Sequence, residues 1–262
     1  MTKLYRGMDR ATLDAAYNNS AAVKNSAQIV ADWEKRSERF RAAHPDGLDL
    51  RYGPAERNRI DLFEARKDAL LVFIHGGYWQ MRSKELFAFV AAGPLAHGIS
   101  VALVGYTLAP EKRLDGIVAE IREALSYLDS KANRVICCGW SAGGHLTAMA
   151  MQHPAVNAGL AISGLYDLEP IRHCYVNDKL KLDIHEALRN SPLTGHAFSK
   201  PFTIAYGKKE LPELQRQSED YARVLKHAKL LALPGHDHFT ILEELASPDG
   251  KLTAAVRALL QD

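Results

Sequence analysis

The chain of 262 residues has 47% hydrophobic residues, a proportion typical of a globular protein with a large core. Its net charge of +2, without long basic runs, argues against nucleic-acid or membrane partners and favours a small-molecule ligand. The N-terminus lacks a signal-peptide pattern, and no apolar run is long enough to cross a bilayer. Cys137, Cys138 and Cys174 have no metal-type spacing, so we expect reduced thiols, no bound metal and a cytoplasmic protein.

We expect a single domain over residues 1–262, since nothing in the sequence divides it. Residues 1–45 place apolar positions among charges at helical spacing, which predicts a helical lid or flank. Residues 48–52 and 59–63 alternate at period two and predict antiparallel strands at a sheet edge. Continuous apolar runs further on predict central parallel strands covered on both faces. These runs are residues 69–74, 100–104, 134–138, 158–163, 202–206 and 229–233.

Helical patterns separate these strands. They cover residues 84–96, 114–129, 142–152, 214–227 and 253–260. Alternating strands and helices predict an α/β fold: a mostly parallel, doubly wound central sheet with antiparallel N-terminal edge strands and flanking helices. Residues 166–196 are polar and irregular, and we expect them to form a small cap.

A motif at residues 139–143, GWSAG, matches the pattern G-x-S-x-G between a predicted strand and a predicted helix. The sharp turn that this pattern requires leaves no room for side chains beside the serine, which explains the glycines. We therefore predict that Ser141 is a nucleophile. The alternative is a glycine-rich turn with an incidental serine, and a second, independent motif argues against it.

The second motif is HGGYW at residues 75–79, directly after a predicted strand. Backbone amides at this position can hold the negative oxygen of a tetrahedral intermediate. We assign this oxyanion role to the amides of Gly77 and Tyr78, together with that of Ala142, which follows the predicted nucleophile. His75 is expected to hold its loop by hydrogen bonding rather than to act as a base.

A serine hydroxyl needs a base within hydrogen-bond reach and a carboxylate that orients the base. The segment GHDHF follows the last predicted strand, and we prefer His238 over His236 as the base because the next aromatic residue would anchor a helix start. Glu210, just past the tip of the preceding strand, is the predicted acid. Glu213 lies nearer the helix, and Asp237 is too close in sequence to His238 to orient it.

Aromatic residues adjoin each of these motifs. We predict that Trp79, Trp140 and Phe239 contact the substrate. Several aromatic residues at the entrance of one active site favour a flat or aromatic substrate. The alternative is plain core packing, which is the usual role of aromatic side chains near strand ends.

The motifs HGGYW, GWSAGGHL, YGKKELPELQRQS and GHDHF, in this order, resemble those of the kynurenine formamidase (arylformamidase) group and its bacterial esterase relatives. The resemblance runs from Leu48 to Phe239. It implies an α/β-hydrolase fold and hydrolysis of a formyl amide or small ester by a triad of Ser141, Glu210 and His238, with neither a metal nor an organic cofactor. Members of this group frequently have His at the position of Trp140 and Asp at the position of Glu210, so the chain differs from them at both positions.

N-formylkynurenine is the leading substrate hypothesis, and its carboxylate would need a partner such as Arg82, Arg113 or Arg172. A short-chain carboxylesterase would use the same machinery and differ only in its pocket. A non-catalytic ligand-binding protein on this fold is the alternative from another class, although such a protein has no need of the serine and the histidine. The sequence leaves the oligomeric state open, with a homodimer as one alternative.

Overall fold

A computed structural model describes residues 2–66, 68–195 and 197–261. Within these residues, one sheet has eight strands in the order β1-β2-β4-β3-β5-β6-β7-β8. The strands are β1 (Leu50–Arg51), β2 (Arg59–Phe63), β3 (Ala69–Ile74), β4 (Ser100–Val104), β5 (Arg134–Trp140), β6 (Ala158–Ile162), β7 (Phe202–Gly207) and β8 (Lys229–Leu233). Three residues that end predicted segments, Met1, His196 and Asp262, lie outside the described residues.

Helices connect the strands and form the N-terminal segment. In the described part of the chain they are α1 (Arg10–Ala16), α2 (Asn19–Ala22), α3 (Ser26–Ala43), α4 (Ala92–Ala96), α5 (Leu114–Leu128), α6 (Ala142–Ala150), α7 (Glu169–Arg172), α8 (Asn177–Leu180), α9 (Ile184–Arg189), α10 (Pro212–Val224), α11 (Glu243–Ala246) and α12 (Lys251–Leu259). Four 3₁₀ helices cover Lys84–Ala91, Asp129–Lys131, Pro192–Thr194 and Thr240–Leu242.

Local sequence signals explain several of these boundaries. The Asp9 side chain accepts a hydrogen bond from the Thr12 amide and caps α1. Helix α10 begins at Pro212, whose fixed φ suits the first turn of a helix. The predicted helix over residues 84–96 is a 3₁₀ segment that continues into α4. Residues 166–195 hold the short helices α7 to α9 and one 3₁₀ turn.

The predicted α/β architecture is confirmed. Strands β3 to β8 pair in parallel, while β1 with β2 and β2 with β4 pair antiparallel at the N-terminal edge. The edge strand predicted over residues 48–52 is shorter than expected, because Asp49 has a left-handed φ of 57° and cannot extend the strand. Its amide donates instead to the Asp61 carboxylate, at 2.9 Å.

The chain order around β3 creates a crevice at one end of the sheet. Strand β4 lies on one side of β3 and β5 on the other, so the connections that follow them run in opposite directions. The register pairs Ile74, the last residue of β3, with Gly139 of β5. In open α/β sheets, ligands bind at such a switch point, beyond the carboxyl ends of the strands. Both motifs found in the sequence begin there.

Both faces of the sheet are buried, which accounts for the continuous apolar strands. In β3, Leu70, Val72 and Ile74 belong to one hydrophobic cluster, and alternate residues such as Leu71 and Phe73 belong to the other. Each large side chain buried in this way stabilises the fold by roughly 1.5–3 kcal/mol relative to an exposed one.

The N-terminal helix α3 lies against the second of these clusters. Its Trp33 is fully buried, stacks on Phe89 at a centroid distance of 5.4 Å and meets Trp140 edge-on at 5.5 Å. This part of the N-terminal segment is therefore a flank of the core. Its contacts anchor the residue that directly precedes Ser141.

An ionic cluster around the buried side chains of Lys84 and Asp61 ties α3 and β2 to the helical segment that follows the HGGYW loop. The Lys84 ammonium lies 2.6 Å from both Asp49 and Asp61 and 2.8 Å from Glu85, and Arg41 lies 3.3 Å from Asp61. Burial raises the pKa of Glu85, but hydrogen bonds from Lys84 and Ser83 outweigh it and lower the pKa to about 2. The cluster therefore stabilises the fold above the ordinary carboxyl range and loses that contribution as the pH falls toward 2.

The three cysteines are free and buried, and burial raises the pKa of the Cys137 thiol to about 12. No helix of the described residues is long and apolar enough to cross a membrane.

Replacing Lys84 with Met should lower the free energy of unfolding by about 3 kcal/mol, because it leaves the fully buried Asp61 carboxylate with weaker compensation. Urea unfolding followed by circular dichroism measures the change. Lys226→Met, at an exposed position, is the control and should change the free energy of unfolding by less than about 0.5 kcal/mol. Equal stabilities of the two variants would contradict a stabilising role for the cluster.

Candidate active site

Ser141 stands on a tight turn between β5 and α6. Its φ of 58° and ψ of −119° lie outside the regions that most residues adopt, and its amide donates to Ile162 at 2.8 Å. Helix α6 passes so close to β3 that a Cβ atom on Gly143 would lie 1.9 Å from the Ile74 carbonyl oxygen. Glycine is therefore required here, as the sequence motif predicted.

Three predicted residues meet at this turn. Nε2 of His238 lies 3.1 Å from Oγ of Ser141, and Nδ1 of the same ring lies 3.2 Å from Oε2 of Glu210. Because an ionised carboxylate can only accept a hydrogen bond, Nδ1 carries the proton and Nε2 is free to accept from the serine hydroxyl. All three side chains are buried, with 5% exposure or less.

The carboxylate is fixed by two further hydrogen bonds. Oε1 of Glu210 accepts from the Gly207 amide at 2.6 Å and from the Ser163 hydroxyl at 2.7 Å, which leaves Oε2 for the histidine. Ser163 follows β6, between the strands that carry the serine and the acid, and has a left-handed φ of 52°. Sequence reasoning missed this residue, and its position at a strand end was the one available signal.

The rival acids and the rival histidine have other partners. Glu213 pairs with Arg216 at 2.7 Å, and His236 pairs with Glu244 at 2.9 Å. Asp237 accepts hydrogen bonds from two backbone amides of the following helical turn. No group of three or more His, Cys, Asp or Glu side chains in the described part of the chain could hold a metal ion.

The HGGYW loop has an unusual backbone. Gly77, Tyr78 and Trp79 have φ values of 115°, 49° and 58°, and a Cβ atom on Gly77 would lie 2.2 Å from the Met81 carbonyl oxygen. Within the described residues, the amides of Gly77, Tyr78 and Ala142 donate to no protein acceptor. These three amides are therefore free to donate to a ligand oxygen, which is what an oxyanion site requires.

His75 contacts this loop as a neutral side chain. Its Nδ1 donates to the Gly76 carbonyl oxygen at 2.8 Å, and its ring stacks on Tyr106 at 4.3 Å. Complete burial lowers the pKa of His75 to about 4, so the imidazole is uncharged near neutral pH.

The Tyr78 side chain joins the loop to the N-terminal segment. Its hydroxyl donates to the Tyr17 carbonyl oxygen at 2.6 Å and accepts from the Asn19 side-chain amide at 3.1 Å. The Tyr175 hydroxyl, from residues 166–195, donates to the same Tyr17 carbonyl oxygen at 3.4 Å. The N-terminal segment and the predicted cap therefore meet beside the oxyanion loop. A lid function for either segment stays a prediction.

The three predicted aromatic contacts are all buried, with 2% exposure or less. The indole nitrogen of Trp140 donates to the His238 carbonyl oxygen at 2.7 Å, and the two rings lie 4.9 Å apart. Phe239 packs on the same indole at 5.9 Å. The contacts of Trp140 and Phe239 thus hold His238 in place, whereas Trp79 meets His145 edge-on at 4.9 Å. The prediction that Trp79, Trp140 and Phe239 contact a substrate stays a prediction.

Comparison with known proteins agrees with this fold. Residues 71–232 match a family model described as alpha/beta hydrolase fold. Kynurenine formamidases of Danio rerio and Salmo salar are 33% and 34% identical to the chain, and each alignment covers 86% of it and 85% of the relative. A solved structure described as a candidate thioesterase, from Silicibacter sp. TM1040, has a TM-score of 0.90 at 30% identity, over 94% of this chain and 98% of its own. This chain therefore belongs to the alpha/beta hydrolase fold family and is a hydrolase.

Proposed function

We propose that this hydrolase cleaves an aryl formamide, with N-formylkynurenine as the leading substrate, by a serine mechanism. The observation that carries the proposal is the unbroken series of hydrogen bonds from Ser141 through His238 to Glu210, at 3.1 and 3.2 Å. Similarity to kynurenine formamidases over most of the chain supports a formamide as the substrate.

In the first step, Oγ of Ser141 forms a bond to the formyl carbon while its proton passes to Nε2 of His238. The carbonyl oxygen becomes negatively charged. The amides of Gly77, Tyr78 and Ala142 donate to this oxygen, because no protein acceptor among the described residues competes for them.

The charged imidazole is stabilised from its other side. Glu210 accepts a hydrogen bond from the Nδ1–H group, and its own position is held by Ser163 and the Gly207 amide. The Trp140 indole, bonded to the His238 carbonyl oxygen, limits movement of the histidine backbone. The base is therefore oriented before a substrate arrives, which is how an enzyme avoids reorganisation during the reaction.

In the second step, His238 donates its new proton to the aniline nitrogen as the bond between carbon and nitrogen breaks. A formyl ester remains on Ser141, and the arylamine leaves. Water then attacks this ester as His238 takes one of its protons, and collapse of the second tetrahedral intermediate returns the proton to the serine and releases formate.

A hydrolase of small esters or thioesters is the second candidate. The Silicibacter sp. TM1040 structure, described as a candidate thioesterase, favours it, since that chain matches over nearly its full length at 30% identity. The steps at the serine would be the same, with an alcohol or a thiol as the leaving group.

Replacing Ser141 with Ala should lower kcat/KM by about 10⁴-fold or more, because no other group supplies the nucleophile. Steady-state kinetics and labelling by a fluorophosphonate measure the loss. Ser247→Ala, at an exposed position, is the control and should keep the wild-type kcat/KM and the fluorophosphonate labelling. Turnover near that of the wild type in Ser141→Ala would refute the serine mechanism.

Replacing Ser163 with Ala should lower kcat by about tenfold with little change in KM, because Glu210 loses one of the two donors that orient it. Ser218→Ala is the matched control, since this buried serine has no hydrogen-bond partner among the described residues. An increase in KM without a change in kcat, or equal kcat values in the two variants, would argue against a positioning role for Ser163.

The wild type should show a higher kcat/KM for N-formyl-L-kynurenine than for 4-nitrophenyl acetate, because the leaving arylamine and the formyl group match the proposed substrate. Ser141→Ala corrects both rates for background hydrolysis. Good ester turnover with negligible deformylation would reject the formamidase function and favour the second candidate.

A further inference from the structure

One cation at the edge of this site, Arg82, has no counter-charge in the described part of the chain. Arg82 lies three residues beyond the HGGYW loop and has a left-handed φ of 73°. Its side chain is only partly exposed. Within the described residues, its guanidinium forms no ion pair and donates no hydrogen bond to a protein acceptor. Its central carbon lies 5.8 Å from the ring centroid of Trp140 and 6.0 Å from that of Phe239.

The other two arginines considered from the sequence are already paired. Arg113 bonds to Glu186 and lies 3.2 Å from Asp183, and Arg172 bonds to Glu169 at 2.8 Å. The structure therefore distinguishes, by their ion pairs, three arginines among which the sequence offered no basis for a choice. Arg82 alone among these three is available to an anion from outside the protein.

Nearby charges leave the guanidinium without an ion-pair partner. Glu85, three residues further on, lies 2.8 Å from the Lys84 ammonium and forms no ion pair with Arg82. The Arg57 guanidinium donates to the Arg82 backbone carbonyl and brings a second positive charge close by. Burial lowers the pKa of Arg82, and nothing in its surroundings offsets that effect. The two rings stabilise the cation only in part, and within the described residues it has neither an anion nor a hydrogen-bond acceptor, so an incoming anion would stabilise it further.

Arg82 shares two aromatic neighbours with the proposed base. The two rings that it faces are those that contact the base, since Trp140 and Phe239 lie 4.9 and 5.7 Å from the His238 imidazole. In sequence, Arg82 follows the oxyanion amide of Tyr78 by four residues. A left-handed backbone at a non-glycine residue is unfavourable by about 1–3 kcal/mol and persists mainly where function requires it.

We propose that Arg82 binds a carboxylate on the substrate, so that the enzyme selects anionic substrates over neutral ones of the same shape. This inference rests on the proposed function, because the carboxylate is taken to be that of the formamide substrate. A guanidinium suits the role, since its N–H groups match both oxygens of a carboxylate.

The test compares N-formyl-L-kynurenine with its neutral carboxamide in the full-length enzyme. The readout is the ratio of kcat/KM for the acid to that for the amide. We expect Arg82→Met to lower this ratio by about 10- to 100-fold, the usual effect of losing a hydrogen-bonded charge pair. Arg82→Lys should give an intermediate ratio, because a lysine keeps the charge but not the paired geometry. Arg172→Met is the matched control and should keep the wild-type ratio.

A second pair of substrates separates this inference from the proposed function. Mono-4-nitrophenyl glutarate and 4-nitrophenyl pentanoate are compared in the same variants. If the wild type hydrolyses the formamide pair, the ratio for that pair tests the carboxylate site. An unchanged ratio in Arg82→Met then overturns the carboxylate site and leaves the proposed function intact. If the wild type hydrolyses neither formamide, the proposed function fails, and the ester pair tests the anion site instead. A lower ratio of kcat/KM for the glutarate to that for the pentanoate in Arg82→Met supports the anion site, and an unchanged ratio overturns it.

Discussion

Pairing of Ile74 with Gly139 across the parallel strands β3 and β5 is the constraint on which the site depends. It brings the ends of two strands together, and from these ends the oxyanion loop and the serine turn both emerge. The close approach of α6 to β3 at Gly143 then leaves Ser141 on a strained turn. Because close-packed side chains cover both faces of these strands, the core holds the strand ends, and with them the geometry of the site, in place.

Burial of a charged group at the site requires full compensation. Glu210 lies 5% exposed, yet each of its two carboxylate oxygens has a hydrogen-bond donor, from His238 on one side and from Ser163 and a backbone amide on the other. Removing the carboxylate from water strengthens its interaction with the imidazole. Arg82 differs, because its guanidinium has neither a hydrogen-bond acceptor nor a counter-charge within the described residues. A charge that is already compensated serves the structure, whereas an uncompensated one is suited to binding an anion.

The segments outside the central sheet contribute to the same site. Helix α3 packs Trp33 against Trp140, which holds the carbonyl oxygen of His238. The Tyr17 carbonyl oxygen accepts hydrogen bonds from Tyr78 of the loop and from Tyr175 of the predicted cap. The N-terminal segment is therefore in contact with the HGGYW loop and is linked to His238 through Trp140.

By itself, the sequence determined the alternation of strands and helices and the positions of Ser141 and His238. These follow from local patterns, since the period of apolar residues and the glycines of a tight turn act over a few neighbouring residues. Only the tertiary structure decided that Ser163 donates a hydrogen bond to Glu210 and that Arg82 lacks a counter-charge within the described residues. Both properties depend on residues that are distant in the chain and become neighbours when the sheet forms, and one sequence contains no local signal of such contacts.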